Sequence, residues 1–442
     1  MIRNSATILQ PVQFAKAKLN IANLGSLPGH DDITRVVLPN GITVLTRANF
    51  NSPSVVINGY LTAGGLFDPD EKLGLADFTA SSLMRGSQER DFQQIYDALE
   101  SIGATLGIGG GTHTTVFRGR SLAEDLPIIV ALLGEVLRRP AFPLEHIEKL
   151  RAQLLTSLAI RAQDTNDMAS LVFDQLVYNG HPYSRPQDGY PETIQAIQRA
   201  DLQAFHAEHY GPYGMVIAVV GAVEASRVVE IIDQALGDWQ HPGQPAPPEL
   251  PEIKPIERMV TQKVTLPGKS QADVIMGAAG PPRSAPDYLA ASLGNNILGQ
   301  FGMMGRIGEA VREKAGLAYY ASSSLSGGLG PGPWYVSMGV DPANVERAVE
   351  LARQEIANFI SQPVSVEELS DTQEHYVGRL PLSLESNGGV AAALNNLERY
   401  ELGLDYYRQY PELVQAIRSE AVLQAARHYL DPERLVVAVA GP

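Results

Sequence analysis

The chain has 442 residues, and its 34 Lys and Arg against 49 Asp and Glu give a formal net charge of −15. Because an acidic chain repels nucleic-acid phosphates and anionic membranes, neither is an expected partner. The sequence contains no cysteine, which excludes disulfides, thiolate zinc sites and cysteine nucleophiles.

Residues 1–30 are weakly patterned, and we predict that they form an N-terminal arm. They show no apolar run of about 7–15 residues of the kind that a signal peptide needs. No stretch of the chain approaches the roughly 18 apolar residues of a membrane span. A cytoplasmic protein without a membrane span is therefore expected.

Strand and helix signals alternate through residues 31–240, which we predict to be the first domain. Residues 35–45 contain two β-rich runs around Pro39, Asn40 and Gly41, a sequence typical of a hairpin. Further strands are predicted at residues 54–61, 114–119 and 215–221, and helices at residues 73–85, 92–102, 122–138, 144–163, 167–178 and 199–209. This mixture predicts an α+β fold.

Residues 241–258 are rich in Pro and Gly and indicate a stiff linker to a second domain over residues 259–442. The second domain repeats features of the first. His209 and Tyr210 precede the apolar strand at 216–221, and His428 and Tyr429 precede a similar strand at 436–441. Residues 55–59 resemble residues 274–277, and the starts of these two runs, Val55 and Val274, have the same offset as the His-Tyr pairs. Two matches at one offset favour internal duplication over a chance likeness between two domains.

The sequence resembles the M16 zinc peptidases, the family of pitrilysin and mitochondrial processing peptidase. The resemblance rests on residues 40–45, Gly64, Gly65, residues 74–87, the run Gly180, His181, Pro182, Tyr183 with Pro186, and Asp201, Leu202, Phe205, His206 and Tyr210. It covers about residues 30–442. It implies the duplicated LuxS/MPP-like metallohydrolase fold, in which two homologous halves each pack a mixed or antiparallel β-sheet against helices.

In catalytic members of this family the first helix carries the inverted zinc motif H-x-x-E-H. Two histidines one helical turn apart bind the metal, and the glutamate acts as the general base. Here Asp77 stands at the first histidine position, Ala80 at the glutamate and Ser81 at the second histidine. The third ligand, a downstream glutamate, would fall near Ser157 and Leu158. One carboxylate and one hydroxyl cannot replace two imidazoles and a carboxylate as a tight zinc site, so no metal is expected in this chain.

The histidines offer one alternative ligand pair, since His206 and His209 are spaced as neighbours on a helix. We interpret them as packing residues of a helix end, because the His-Tyr pair recurs in the second domain. His113 and His181 are isolated in the sequence. His181 belongs to a Gly-His-Pro turn that looks architectural in the family.

The second half keeps a segment that resembles the arginine and tyrosine pair of the family, here Arg312 and Tyr319 with the same separation. In the family these groups reach into the zinc site and bind the substrate. A cation and a directional O–H can stabilise the negative charge that develops on a peptide carbonyl during hydrolysis. The alternative is that Arg312 pairs with Glu309 or Glu313 and that Tyr319 lies in the core.

A glycine-rich segment precedes this pair and includes Gly302 and Gly305. It lacks the Gly-Lys-Ser/Thr ending of a phosphate loop. It resembles the flexible glycine-rich segment of zinc-free subunits in the family, which implies contact with substrate. Residues 326–333 are predicted to form a turn between strands.

Three hypotheses remain open. The first is the zinc-free subunit of a heterodimeric M16 peptidase, whose partner carries H-x-x-E-H and the zinc and whose substrate is a peptide. The second is a structural or peptide-binding protein, as a heterodimer or a homodimer, that kept the fold and lost the chemistry; core subunits of respiratory complexes in this family are examples. The third is an autonomous enzyme with an unrecognised site.

Overall fold

The computed structural model describes residues 27–442, and the predicted arm over residues 1–30 therefore lies almost entirely outside the described residues. Two β-sheets form the framework, one in each half of the chain. None of the helices between residues 27 and 442 combines the length and the apolar character needed to cross a bilayer.

The first sheet has six strands: β1 (Thr34–Val37), β2 (Thr43–Ala48), β3 (Ser54–Leu61), β4 (Thr105–Gly109), β5 (Thr115–Leu122) and β6 (Val216–Gly221). Their order is β1-β2-β6-β3-β5-β4, with β2 parallel to β6 and the other neighbours antiparallel. The predicted hairpin is confirmed as β1 and β2, and Gly41 at its turn has φ +92°, which favours glycine.

The described part of the first half contains eight α-helices: α1 (Leu75–Ser82), α2 (Phe92–Glu100), α3 (Leu126–Arg138), α4 (Leu144–Arg161), α5 (Thr165–Val177), α6 (Pro191–Ala196), α7 (Arg199–His209) and α8 (Ala225–Leu236). Helix α1 starts two residues later than predicted, because Gly74 has φ +93° and cannot be part of a right-handed helix. Strand β4 and helices α6 and α8 were not predicted from the sequence.

The second sheet has five strands: β7 (Val260–Thr265), β8 (Ala272–Ala279), β9 (Ala318–Leu325), β10 (Pro333–Val340) and β11 (Val436–Gly441). Its helices are α9 (Tyr288–Gly299), α10 (Phe301–Ile307), α11 (Val345–Ser361), α12 (Val366–Ser383), α13 (Asn387–Arg399), α14 (Tyr406–Ala416) and α15 (Ser419–Tyr429), with a π-helix at Gly308–Lys314. The predicted turn at residues 326–333 joins β9 to β10.

The strand order of the second sheet, β7-β11-β8-β10-β9, repeats that of β2-β6-β3-β5-β4 in the first sheet. The directions agree as well, since β7 is parallel to β11 and the remaining neighbours are antiparallel. This is the arrangement that an internal duplication would produce.

The two halves exchange one helix each. Helix α5 of the first half packs on β8 and β11 of the second sheet, with Val172 and Phe173 buried in that contact. Helix α13 of the second half packs on β2, β3 and β6 of the first sheet through Val390 and Leu394. The opposite face of each sheet is covered by helices of its own half. Each half therefore completes the hydrophobic core of the other.

The predicted linker at residues 241–258 contains neither helix nor strand. Ile253 and Ile256 pack against the cluster that joins α5 to the second sheet. The linker thus runs along the junction between the halves and adds apolar contacts to it.

Candidate functional site

Helix α1 carries the positions at which the family has its metal motif, and its N-terminus is held by Asp68. The Asp68 carboxylate accepts hydrogen bonds from the backbone N–H groups of Gly74 and Ala76, each at 2.9 Å. Burial raises the pKa of Asp68 to about 7, and the two hydrogen bonds act in the opposite direction. Arg185 donates to the Asp68 carbonyl oxygen at 3.0 Å, which ties the helix start to the segment after α5.

Asp77 is engaged in contacts that fix the loop between β4 and β5. Gly110 in this loop lies so close to the helix that an added Cβ would be 2.6 Å from the Asp77 Cα. Burial raises the pKa of Asp77, while hydrogen bonds from Gln187 and from the Gly110 N–H lower it. The Gln187 amide also donates to the Gly110 carbonyl oxygen at 2.9 Å. The Asp77 carboxylate, at the first ligand position, is therefore engaged in contacts with the loop between β4 and β5.

The remaining ligand positions offer no replacement. Ala80 is fully buried and Ser81 is half-buried. Ser157, near the position of the third zinc ligand in the family, is exposed and lines a cleft of about 470 Å³. Across residues 27–442 there is no group of three or more His, Cys, Asp or Glu side chains that could hold a metal ion. These residues do not fit a zinc ion, whose sites need three or four such ligands.

The cleft beside Ser157 is polar and carries charges of both signs. Arg161 forms an ion pair with Asp188 and donates to the Gly189 carbonyl oxygen at 2.9 Å. Burial raises the pKa of Asp174 to about 7, and no other group offsets that shift. The cleft can therefore accept polar groups of a ligand, but its acidic residues do not converge on one point.

The four histidines considered in the sequence analysis make structural contacts. His206 bonds to the Leu137 carbonyl oxygen at 2.8 Å, and the His209 ring stacks on Phe67 at 4.3 Å. Their rings thus serve packing, as interpreted from the recurring His-Tyr pair.

His113 and His181 are isolated in the sequence but meet at Tyr183. The His113 Nε2 lies 2.6 Å from the Tyr183 hydroxyl, and the His181 Nδ1 accepts the Tyr183 N–H at 3.0 Å. Burial, with a smaller contribution from Arg399, lowers the pKa of His113 to about 4. In the sequence, Tyr183 stands out only as part of a motif. Its contact with His113 was not predicted, because the two residues are 70 positions apart.

Arg312 lies on the π-helix that leads towards β9. Its guanidinium is about one third exposed and lies 3.6 Å from the Glu313 carboxylate and 4.0 Å from the Met304 sulfur. Glu309 pairs instead with Lys314 at 2.9 Å. Of the two structural partners considered from the sequence, only Glu313 is in reach. The contact is at the long end of the range for an ion pair, and most guanidinium donors make no hydrogen bond to the part of the chain that the structure describes.

Tyr319 does not lie in the core, which removes the structural alternative considered for it. Its side chain is 69% exposed. It is the extra residue of a β-bulge, because Tyr320 pairs with Gly339 and Ala318 pairs with Val340, with no partner left for Tyr319. A bulge bends the strand and redirects a side chain. The structure therefore presents a phenol on the surface, one short turn after the helix that carries Arg312.

The glycine-rich segment differs from the expected loop, since residues Phe301–Ile307 form α10, a short helix that is not regular in its backbone angles. Gly302, Met304 and Gly305 nevertheless have positive φ angles. Open space surrounds the position of a Gly302 Cβ, whereas a Cβ on Gly305 would meet the Gly299 backbone at 2.6 Å. Gly305 is thus required for close packing, while Gly302 is exposed. For a non-glycine residue such as Met304, the left-handed conformation is costly and is maintained by its surroundings.

Comparison with known proteins agrees with this geometry. Residues 43–186 match the family model described as insulinase, peptidase family M16, and residues 196–376 match the model described as peptidase M16 inactive domain. An uncharacterized zinc protease of Mycobacterium leprae is 26% identical over 416 residues, covering 93% of this chain and 92% of that protein. Subunit beta of the mitochondrial-processing peptidase of Saccharomyces cerevisiae is 29% identical over 299 residues, covering 65% of this chain and 62% of that protein.

A solved structure extends the agreement to nearly the whole chain. The crystal structure of a peptidase M16 inactive domain from Pseudomonas fluorescens superposes with a TM-score of 0.86 at 27% sequence identity. The match covers 93% of this chain and 98% of that one. The fold with two mixed sheets is thus shared over 93% of this chain.

Proposed function

Because the chain belongs to the M16 peptidase family, we propose that it is the zinc-free subunit of a heterodimeric M16 peptidase. A homologous partner bears H-x-x-E-H and the zinc, and this chain supplies Arg312 and Tyr319 for binding the peptide. The observation that carries the proposal is the exposure of Tyr319, which is 69% accessible on a bulged strand. A scaffold gains no stability from an exposed phenol at a bulge.

The chemistry of the pair fits binding of a peptide bond under hydrolysis. Arg312 keeps its positive charge at any physiological pH, and the Tyr319 O–H is a directional donor. Donors that are already oriented towards the carbonyl oxygen stabilise the charge that develops there, and loss of one such donor costs about a hundredfold in rate. Both groups are accessible to a substrate bound between this chain and a partner.

The edges of the sheets offer backbone groups for an extended peptide. Strand β9, which carries Tyr319, is one of the two edge strands of the second sheet, and β4 is one of the two edge strands of the first. An extended peptide can add to such an edge through main-chain hydrogen bonds, while its side chains give selectivity. The peptide would then lie beside Tyr319 in the orientation of a neighbouring strand.

Reconstitution tests the proposal directly. This chain is mixed with an M16 chain that carries H-x-x-E-H, and hydrolysis of a quenched fluorescent peptide is compared with that of each chain alone. We expect zinc-dependent hydrolysis only in the mixture. Arg312→Ala should lower the rate about a hundredfold, as expected for loss of a charge-stabilising donor. The matched control is Arg347→Ala, an exposed arginine on α11, which should leave the rate unchanged.

Two results would contradict the proposal in different ways. Hydrolysis by this chain alone would show an independent site, and an unchanged rate for Arg312→Ala would remove the role assigned to that residue. The second candidate is a peptide-binding or structural protein without peptidase activity. Like the zinc-free subunit, it is consistent with the lack of a metal-binding group of side chains within residues 27–442. A stable homodimer that binds peptide and stays inactive with every H-x-x-E-H chain would support it.

A further inference from the structure

A cleft of about 290 Å³ lies where α12 and α14 meet the loop that precedes α9. We refer to it as the tyrosine cleft. Its lining residues are aromatic or basic for the most part: Arg283, Tyr376, Arg379, Leu380, Ser383, Tyr406, Tyr407 and Tyr410. It contains no carboxylate, although Asp and Glu outnumber Lys and Arg in the chain. The cleft therefore has the opposite charge to the protein as a whole.

Arg283 is half-buried in the wall of the cleft and has no carboxylate partner among residues 27–442. Its guanidinium lies 4.4 Å from the Tyr288 ring centroid and donates to the Tyr406 hydroxyl at 3.1 Å. Aromatic faces and a neutral phenol offset only part of the cost of withdrawing a cation from water. A guanidinium held in this way retains an unmet preference for an anion.

Two further donors in the cleft are unused. The guanidinium of Arg379 and the hydroxyl of Tyr410 make no hydrogen bond to any residue in the described part of the chain. The hydroxyl of Tyr376, by contrast, already donates to the Ser292 carbonyl oxygen at 2.8 Å. The cleft thus combines one half-buried and one exposed guanidinium with a free phenol.

The start of the described chain passes beside this cleft. The Leu27 carbonyl oxygen accepts a hydrogen bond from Arg408 at 3.0 Å, and His30 bonds to Asp405 at 2.8 Å, both at the beginning of α14. The preceding 26 residues contain Arg3, Lys16 and Lys18 but no Asp or Glu. That segment therefore cannot supply a side-chain carboxylate to the cleft.

We propose that the tyrosine cleft binds a small organic oxyanion, a carboxylate or a phosphate monoester attached to an aromatic group. The planar fork of arginine matches both oxyanions with paired hydrogen bonds, and the tyrosine rings provide a surface for an aromatic group. The volume is near the lower end for small-molecule sites, which restricts the ligand to a compact one. The site is separate from Arg312 and Tyr319, and the proposal does not depend on the peptidase function.

Calorimetric titration of the full chain with phenylacetate and with phenyl phosphate tests the site, with the uncharged isostere phenylacetamide as the reference ligand. Saturable binding with a Kd of about 1 mM or tighter is expected for the better of the two anions, which corresponds to roughly 4 kcal/mol. The anion with the lower Kd shows whether the site prefers a carboxylate or a phosphate monoester. Phenylacetamide should not saturate.

Variants of the cleft distinguish binding there from binding elsewhere. Arg379→Met should weaken anion binding about tenfold, the loss expected for hydrogen bonds to a charged group, and Tyr410→Phe should weaken it less. Arg379 is exposed, so its substitution leaves the fold intact; Arg347→Met is the matched control and should bind like the original chain. Equal binding of phenylacetamide, no saturation by either anion, or an unchanged Kd for Arg379→Met would each overturn the proposal.

Discussion

The hydroxyl of Tyr320 donates a hydrogen bond to Asp273 at 2.5 Å, across the width of β10. The two residues lie on β9 and β8, and the residue between them in the sheet is Gly339. A Cβ on Gly339 would lie 2.4 Å from the Tyr320 ring, so glycine is needed for the contact. Asn166, at the start of α5, donates to the same hydroxyl at 3.0 Å. This network fastens the exchanged helix to β9 directly beside Tyr319.

Substitution of the two adjacent tyrosines should separate function from stability. Tyr319→Phe is expected to lower peptide hydrolysis by the reconstituted heterodimer about a hundredfold, because one charge-stabilising donor is lost. Its unfolding free energy should stay the same, since the side chain is exposed. Tyr320→Phe should instead lower the unfolding free energy by about 1–3 kcal/mol, because the buried Asp273 loses a hydrogen bond.

Denaturant unfolding and initial hydrolysis rates of both variants are the measurements. Tyr213→Phe serves as the control, because Tyr213 is exposed and its hydroxyl makes no hydrogen bond within residues 27–442. If Tyr319→Phe hydrolysed the peptide at the original rate, the exposed phenol would have no part in substrate binding.

The ion pair between Arg306 and Glu368 should give a measurable acid dependence of stability. Arg306 donates two hydrogen bonds to Glu368, at 2.7 and 2.8 Å. Burial alone would raise the pKa of Glu368, but the bonds from Arg306 and Ser365 outweigh it and lower the pKa to about 2. Because the pKa is lower in the folded state, the stabilisation is complete above pH 4.5 and is lost as the pH falls towards 2.

Glu368→Gln should therefore reduce the unfolding free energy at pH 7 by about 1–2 kcal/mol, a modest figure because the pair is partly exposed. The difference between the original chain and the variant should shrink between pH 4.5 and 2. Thermal unfolding across that range measures it. A difference that stayed constant with pH would show that the charge of Glu368 is not involved.

His113 should contribute a second pH dependence at higher pH. Burial lowers its pKa from 6.5 to about 4, so the folded protein resists protonation that the unfolded chain accepts. The contribution of His113 to the unfolding free energy is fully present above pH 6.5 and is lost as the pH falls to about 4. Between pH 6.5 and pH 4, the His113→Gln variant should lose about 1–2 kcal/mol less unfolding free energy than the original chain. This figure allows for the partial exposure of the ring. NMR titration of the His113 ring in the folded protein checks the cause; an ordinary pKa would contradict it.

The exchange of helices between the halves predicts a single unfolding transition. Leu394 on α13 is fully buried against the first sheet, although it belongs to the second half of the chain. Leu394→Ala should cost about 2–5 kcal/mol, the range for a large-to-small change in a core. Scanning calorimetry should show one transition that shifts as a whole. Two transitions, of which only one shifts, would indicate halves that fold independently.

Metal analysis should find no tightly bound zinc in the purified chain. Asp77 is held by the Gly110 loop, Ala80 offers no ligand atom, and Ser157 stands where a carboxylate would be needed. A chelator should therefore leave the thermal midpoint unchanged, and elemental analysis after dialysis against zinc should give well below one ion per chain. One zinc ion retained per chain would refute the ligand analysis and revive the hypothesis of an autonomous enzyme.

Local signals predicted the local structure well. Helix α7 has the predicted limits, and the hairpin around Gly41 forms because Asn and Gly suit its turn. The tyrosine cleft was missed, although Tyr406, Tyr407 and Tyr410 stand close together in the sequence. Tyrosines at such spacing usually pack in a core. Nothing in the sequence indicates that Arg283 lies among them in a cleft whose lining contains no Asp or Glu.

The sequence by itself determined the family and the loss of the H-x-x-E-H ligand set at Asp77, Ala80 and Ser81, because both depend only on which residue types occupy fixed positions. The tertiary structure decided that Tyr319 is exposed and that α5 and α13 are exchanged between the halves. Those properties depend on burial and on contacts between residues more than a hundred positions apart. Chemical identity can be read along a chain, whereas accessibility arises only when distant segments pack together.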